Sequence, residues 1–143
     1  MWYHKRMNTS TYKITLSSLT LASFLFSGYL SAIKFFTTTC FLGEPCPYFL
    51  GYPACWYGFA LFSVLFISNI VGVIKTTFLN TVAKIQVGVS GVGIVFASYF
   101  AIPEIIHAIQ GTKTFTLGIP TCAYGLIFFV IIFILALRFS KNK

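Results

Sequence analysis

Apolar residues in this chain collect in four long stretches, 14–33, 55–74, 85–102 and 121–137, separated by polar or basic segments. Crossing the hydrocarbon of a bilayer takes roughly 20 consecutive apolar residues. The pattern therefore predicts an all-α membrane protein, a bundle of four transmembrane helices forming one integral membrane domain over 1–143. The stretches differ in texture. The first is diluted by Ser and Thr, whose hydroxyls can bond back to their own helix, and the third is rich in Gly and Ser. Both are expected to pack on protein neighbours through small residues such as Gly88, Gly91 and Gly93, while the Phe- and Ile-heavy fourth is expected to face more lipid. Asn69 and Gln86 are expected to bond across helices. Most phenylalanines read as lipid-facing bulk, and Trp2, Tyr3, Tyr12 and Trp56 fit aromatic belts at the two interfaces.

Charge sharpens this picture. Of 143 residues only 8% are charged, against about a quarter in a soluble domain. Ten Lys and Arg face two acids, a net +8 that in a soluble protein would suggest nucleic acid. Here the bases flank apolar runs, and no nucleic-acid partner is expected. On a four-span path Lys5, Arg6, Lys13, Lys75, Lys84, Arg138, Lys141 and Lys143 share one side, and Lys34 and Lys113 the other. That bias predicts both termini and the 75–84 connection in the cytoplasm, in a cell (inner) membrane, with segments 34–54 and 103–119 outside. The first apolar run has the length of a span and no small-residue cleavage pattern closes it, so it is expected to be a helix of the bundle.

The two acids, Glu44 and Glu104, leave paired-carboxylate catalysis and carboxylate metal cages without raw material. Glu104 and His107 lie in the second outer segment and would share a face if helical, as an interfacial contact. His4 belongs to a basic tail suited to anionic headgroups. No phosphate loop, nucleotide fingerprint or metal-spaced His motif is present, no metal site is expected, and the lack of charge at mid-span argues against coupled ion transport.

An internal repeat organises the chain. Residues 51–62, GYPACWYGFALF, recur as 118–129, GIPTCAYGLIFF, at an offset of 67. Gly, Pro, Cys, Tyr, Gly and the final Phe match. Each copy opens an even-numbered span, so the bundle reads as two parallel two-helix repeats, about 14–75 and 84–138. Pro53 and Pro120 suit the first turn of a helix, and the glycines before them permit a sharp entry. Cys55 and Cys122 then sit just inside a helix start, where unpaired amides favour a thiolate. Gly58 and Gly125, three residues on, would let a backbone or a flat ligand come close.

All four cysteines, Cys40, Cys46, Cys55 and Cys122, fall on the expected outer side, where disulfides persist. Their pairing stays open, since four cysteines allow three connectivities. Cys40 and Cys46 are spaced for exchange with a partner thiol in a loop holding Gly43, Pro45 and Pro47. Cys55 and Cys122 could meet if the second and fourth helices are neighbours. Such a pair beside Tyr52, Trp56, Tyr57, Phe59 and Tyr124 would be placed to pass electrons to a flat, quinone-like molecule, with Trp56, Tyr57, Gly58, Tyr124 and Gly125 the candidate binding residues. Zinc, which favours closely spaced CxxC pairs, ranks below disulfide chemistry.

The run Cys40-Phe-Leu-Gly-Glu-Pro-Cys46 through Leu50-Gly-Tyr-Pro53 to Tyr57-Gly58 resembles the vitamin K epoxide reductase family, as do Ser98-Tyr99-Phe100 to Glu104 and Cys122-Ala-Tyr-Gly125. The resemblance covers about 28–137. It implies a four-helix bundle in which Cys40 and Cys46 are shuttle cysteines exchanging with a thioredoxin-like protein on the outer side, and Cys122 opens the redox-active CxxC beside a quinone. The second cysteine of that motif is replaced by Gly125, and Cys55 occupies the corresponding place in the other half. The chain is thus expected to be a membrane thiol-disulfide oxidoreductase passing electrons to a quinone. The alternative is a non-enzymatic structural or accessory subunit of a membrane complex with static disulfides.

Overall fold

The computed structural model of the chain describes residues 8–37, 48–111 and 121–141. Four helices are long and apolar enough to cross a membrane: α1 (Thr9–Thr37), α2 (Ala54–Ile74), α3 (Leu79–Ile109) and α4 (Thr121–Lys141). This is the all-α, four-helix membrane architecture that the apolar stretches imply.

The helices overrun those stretches, because apolar composition marks the hydrocarbon crossing and not the helix ends. Asn8 starts α1, its side-chain oxygen accepting the Ser10 N–H at 3.3 Å. The helix α3 continues through Pro103, so 103–109, expected to be loop, is helical. Proline removes only the bond to the carbonyl four residues back, that of Tyr99, and the helix ends instead at Gly111, whose φ is +73°. Glu104 and His107 are therefore on a helix, three residues apart; their side chains lie outside the described residues.

Ahead of α2, a short hairpin pairs β1 (Tyr48–Phe49) antiparallel with β2 (Tyr52–Pro53). Its two central residues, Leu50 and Gly51, both have positive φ, 52° and 86°, as the tightest hairpin turns require. Pro53 closes β2 and directly precedes α2 rather than lying in its first turn. On the opposite end, α2 and α3 are joined by Lys75 and a single 3₁₀ turn, Thr76–Phe78.

Around the bundle the packing order is α1, α2, α3, α4 and back to α1. The most extensive contacts are α3 on α4 and α1 on α2, within the two expected repeat units; α2 on α3 and α4 on α1 join the units. This leaves α2 and α4 on a diagonal. They meet through Phe62 and Phe129, whose rings stack at 4.2 Å and 7°. A stacked pair contributes about 0.5–1.5 kcal/mol beyond its area burial. Room for it comes from Gly93 on α3, where any Cβ would collide with the Phe129 ring. The same device recurs in the other unit, where a Cβ on Gly28 of α1 would lie 3.2 Å from the Phe59 ring.

The described phenylalanines divide: most are half-buried, Phe35, Phe36 and Phe78 are exposed, and a few are interior, so the reading as lipid-facing bulk holds only in part. Phe62, Phe129 and Phe139 are buried, whereas the exposed apolar residues are chiefly Ile, Val and Leu, such as Ile67, Val95, Ile127 and Ile134. Without a hydrophobic drive between helices in lipid, flat rings that stack offer more contact than branched chains. Nor does α4 face more lipid than the others: α1, α3 and α4 bury equal shares of their apolar stretches, and α2 the smallest. Tyr12, expected in an interfacial belt, is buried and stacks on Phe139 at 4.0 Å.

Many of the buried polar groups find partners, although Tyr12 Oη and Gln86 Oε1 have none among the described residues. Along α1, Ser18, Thr20, Ser23 and Ser27 each donate to a carbonyl of their own helix, at 2.8–3.1 Å. Asn69 Nδ2 donates to Ser17 Oγ at 2.9 Å, tying α2 to α1. Gln86 Nε2 donates to the Leu65 carbonyl at 2.7 Å and to Ser68 Oγ at 2.9 Å, tying α3 to α2. Of the three α3 glycines, Gly93 and Gly91 pack on Phe129 and Phe133, while Gly88 touches no neighbouring helix.

Candidate functional site

Cys55, Gly58 and Phe62 are spaced by three and four residues in α2, and Cys122, Gly125 and Phe129 by the same intervals in α4. Such spacing places each trio on one helix face. The Phe62–Phe129 stack identifies that face as the one turned toward the bundle axis. These phenylalanines are also equivalent positions of the 67-residue repeat. Residues related by a parallel two-fold repeat meet each other only at the axis, so the stack marks it.

One turn outward from the stack are Gly58 and Gly125, both half-buried. No atom of the described residues lies within 4 Å of where a Cβ would stand on either. Unlike Gly93, they carry no close contact with another described helix, and among the described residues they leave open space at this end of the bundle. Another turn outward are the backbones of Cys55 and Cys122, each the second residue of its helix. First-turn amides have no partners inside the helix, and neither first turn carries an acid, an environment that favours a thiolate.

The aromatic residues of the repeat diverge. Tyr57 packs on Phe96 of α3 at 5.7 Å, and Phe96 on Phe100 at 5.0 Å. Tyr124 packs edge-on to Phe26 of α1 at 6.2 Å. Each tyrosine thus reaches the first helix of the other unit. Trp56 is 37% exposed and packs on Tyr52 at 6.0 Å, on the rim.

Of the residues singled out by sequence, Gly58 and Gly125 share one level on the axis-facing stripes, with the backbones of Cys55 and Cys122 above them. The Cys55 and Cys122 side chains, and Cys40 and Cys46 altogether, lie outside the described residues. The premise of a direct Cys55–Cys122 bridge, neighbouring second and fourth helices, is not the arrangement found. Adjacent helix axes lie about 8–10 Å apart, so those on a diagonal are separated by roughly 11–14 Å, and Cα atoms that face each other across it, each about 2.3 Å off its axis, by roughly 6.5–9.5 Å. A disulfide needs Cα atoms within about 7 Å, so a Cys55–Cys122 bridge across the diagonal lies at the limit of reach. The pattern of the chain does not mark Phe62 and Phe129 as a stacked pair, nor Phe26 and Phe96 as the ring partners of Tyr124 and Tyr57. The stacked pair had a signal, the final matching Phe of the repeat; the ring partners had none. Among the described residues no group of His, Cys, Asp and Glu could hold a metal ion.

Fold and surface define a multi-pass, all-α integral membrane protein. Comparison with known proteins finds no match: no family model, no curated protein and no solved structure is similar to the chain.

Proposed function

We propose that the chain is a membrane thiol-disulfide oxidoreductase of the vitamin K epoxide reductase type, working between a thioredoxin-like dithiol protein on the outer side and a quinone in the bilayer. The observation that carries this reading is the open space beside Gly58 and Gly125, floored by the Phe62–Phe129 stack and capped by two cysteine-bearing helix starts. A flat ring fits a gap bounded by aromatic side chains, and a thiolate at a helix start is a competent nucleophile.

In the reaction, the partner dithiol gives up two electrons and two protons and becomes a disulfide as the Cys40–Cys46 pair is reduced. That dithiol passes the electron pair to a Cys55–Cys122 disulfide by exchange through a mixed disulfide, re-forming the Cys40–Cys46 bond and leaving Cys55 and Cys122 as thiols. The resulting thiols return two electrons and two protons to the quinone, which leaves as quinol. Both termini and the α2–α3 connection are assigned to the cytoplasmic side of the cell (inner) membrane, in line with the basic residues there.

Replacing Cys122 with Ser should abolish quinone-dependent oxidation of a reduced dithiol protein by the purified chain. A turnover rate equal to wild type would reject the assignment. The diagonal separation of α2 and α4 favours a second reading, a structural or accessory subunit whose cysteines form static bridges. Thiol trapping distinguishes them: a redox relay changes its pattern of free thiols when quinone is added, and a static staple does not.

A further inference from the structure

At the end of the bundle opposite the cysteines, Lys13 Nζ donates to Thr76 Oγ1 at 3.1 Å, across from α1 to the α2–α3 connection. The next residue back along the chain is Lys75, exposed, its ammonium 6.0 Å from the Phe78 ring centroid. One ammonium group is thus held on Thr76, and a second is carried by the residue next to Thr76 in the chain. Like charges held close are costly unless an anion lies between them. Among the described residues no acidic residue lies at this end. The chain's two acids are Glu44 and Glu104, and Glu104 is 25 residues into α3 from the Leu79 start, about 38 Å up the helix at 1.5 Å per residue. Lys84, Arg138 and Lys141 add further uncompensated charge at the same end.

We infer that Lys13, Lys75 and Thr76 form a binding site for the phosphate of an anionic phospholipid. Lys13 and Lys75 supply the charge. Thr76 accepts from Lys13 and keeps its own hydroxyl proton to donate to a phosphate oxygen. Depth selects the source: α1 and α2 begin and end their membrane crossings here, at headgroup level, so a lipid phosphate is delivered in place with its acyl chains along the apolar faces of the two helices.

The full chain is reconstituted in phosphatidylcholine vesicles with and without phosphatidylglycerol, re-extracted in mild detergent, and the retained lipid is measured by mass spectrometry. Phosphatidylglycerol should be enriched over its proportion in the vesicle. Lys13→Gln and Lys75→Gln should each lower the enrichment about fivefold, the effect of roughly 1 kcal/mol per basic residue at a charged surface. Lys141→Gln, at the same end on α4 and with no bond to Thr76 among the described residues, should lower it far less. Equal losses in all three variants would replace a built site with diffuse charge attraction. Full displacement of the lipid by soluble glycerol phosphate would reassign the site to a free phosphate. An absence of enrichment in the wild-type chain, a measurement independent of whether any variant folds, overturns the proposal.

Discussion

At Gly93 the absence of one carbon decides how two helices pack. The Phe129 ring occupies the volume a side chain would take, and Phe129 in turn stacks on Phe62. Gly93→Ala must push that ring out of its stack, and overpacking of this kind typically costs 1–3 kcal/mol. Gly88→Ala, on the same helix with open space beside it, should instead be neutral or favourable, because alanine is the better helix former. Reversible unfolding in mixed detergent micelles measures both, and equal effects would show that the ring contact carries no stability. The general expectation of close packing at the α3 glycines was readable from composition. Which of three glycines bears the contact was not, since that depends on where a phenylalanine of another helix lands.

Among elements, the polar side chains couple helices in pairs: Ser17 with Asn69 joins α1 to α2, and Gln86 with Ser68 joins α2 to α3. Bonds of this type in membrane bundles average about 0.6 kcal/mol and reach roughly 1.7. A double-mutant cycle with Ser17→Ala and Asn69→Leu should return a coupling in that range, whereas Ser17→Ala with Gln86→Leu, which share no bond, should add independently. The existence and order of the four helices were legible because apolar runs of span length have few other fates. Their ends were not: Pro103 reads as a stop, yet the helix passes through it to Ile109. In a membrane helix one lost backbone bond is tolerated, so proline is weaker punctuation than in water. The belt assignment of Tyr12 failed for a related reason. Its amphipathic character suits an interface, but its neighbour Phe139 offers a stacking surface inside the bundle.

For the molecule as a whole, the two-fold arrangement turns the sequence repeat into a place. Equivalent residues converge on the axis, the stacked phenylalanines close it at mid-depth, and the glycines one turn out leave room above them. Gly58→Leu and Gly125→Leu would place a side chain in that room, and its Cβ would meet no described neighbour. Each should leave the thermal stability of the purified chain within about 1 kcal/mol of wild type and lower quinone-dependent turnover at least tenfold. Full turnover in both variants would show that the space is not where the acceptor binds. The repeat itself, with its cysteines and glycines, was plain in the sequence. The separation of α2 and α4 across a diagonal was not, because a list of spans does not say which helices are neighbours.

The brevity of the α2–α3 link has a consequence for how the chain enters a membrane. Only Lys75 and the turn Thr76–Phe78 connect the two helices. Even fully extended, four residues reach about 14 Å, less than half of the roughly 30 Å hydrocarbon thickness. Neither helix can therefore invert on its own during biogenesis; the pair is threaded as one hairpin. Whatever sets the direction of α2 sets that of α3, so Lys75 and Lys84, at either end of the link, act on the two helices together.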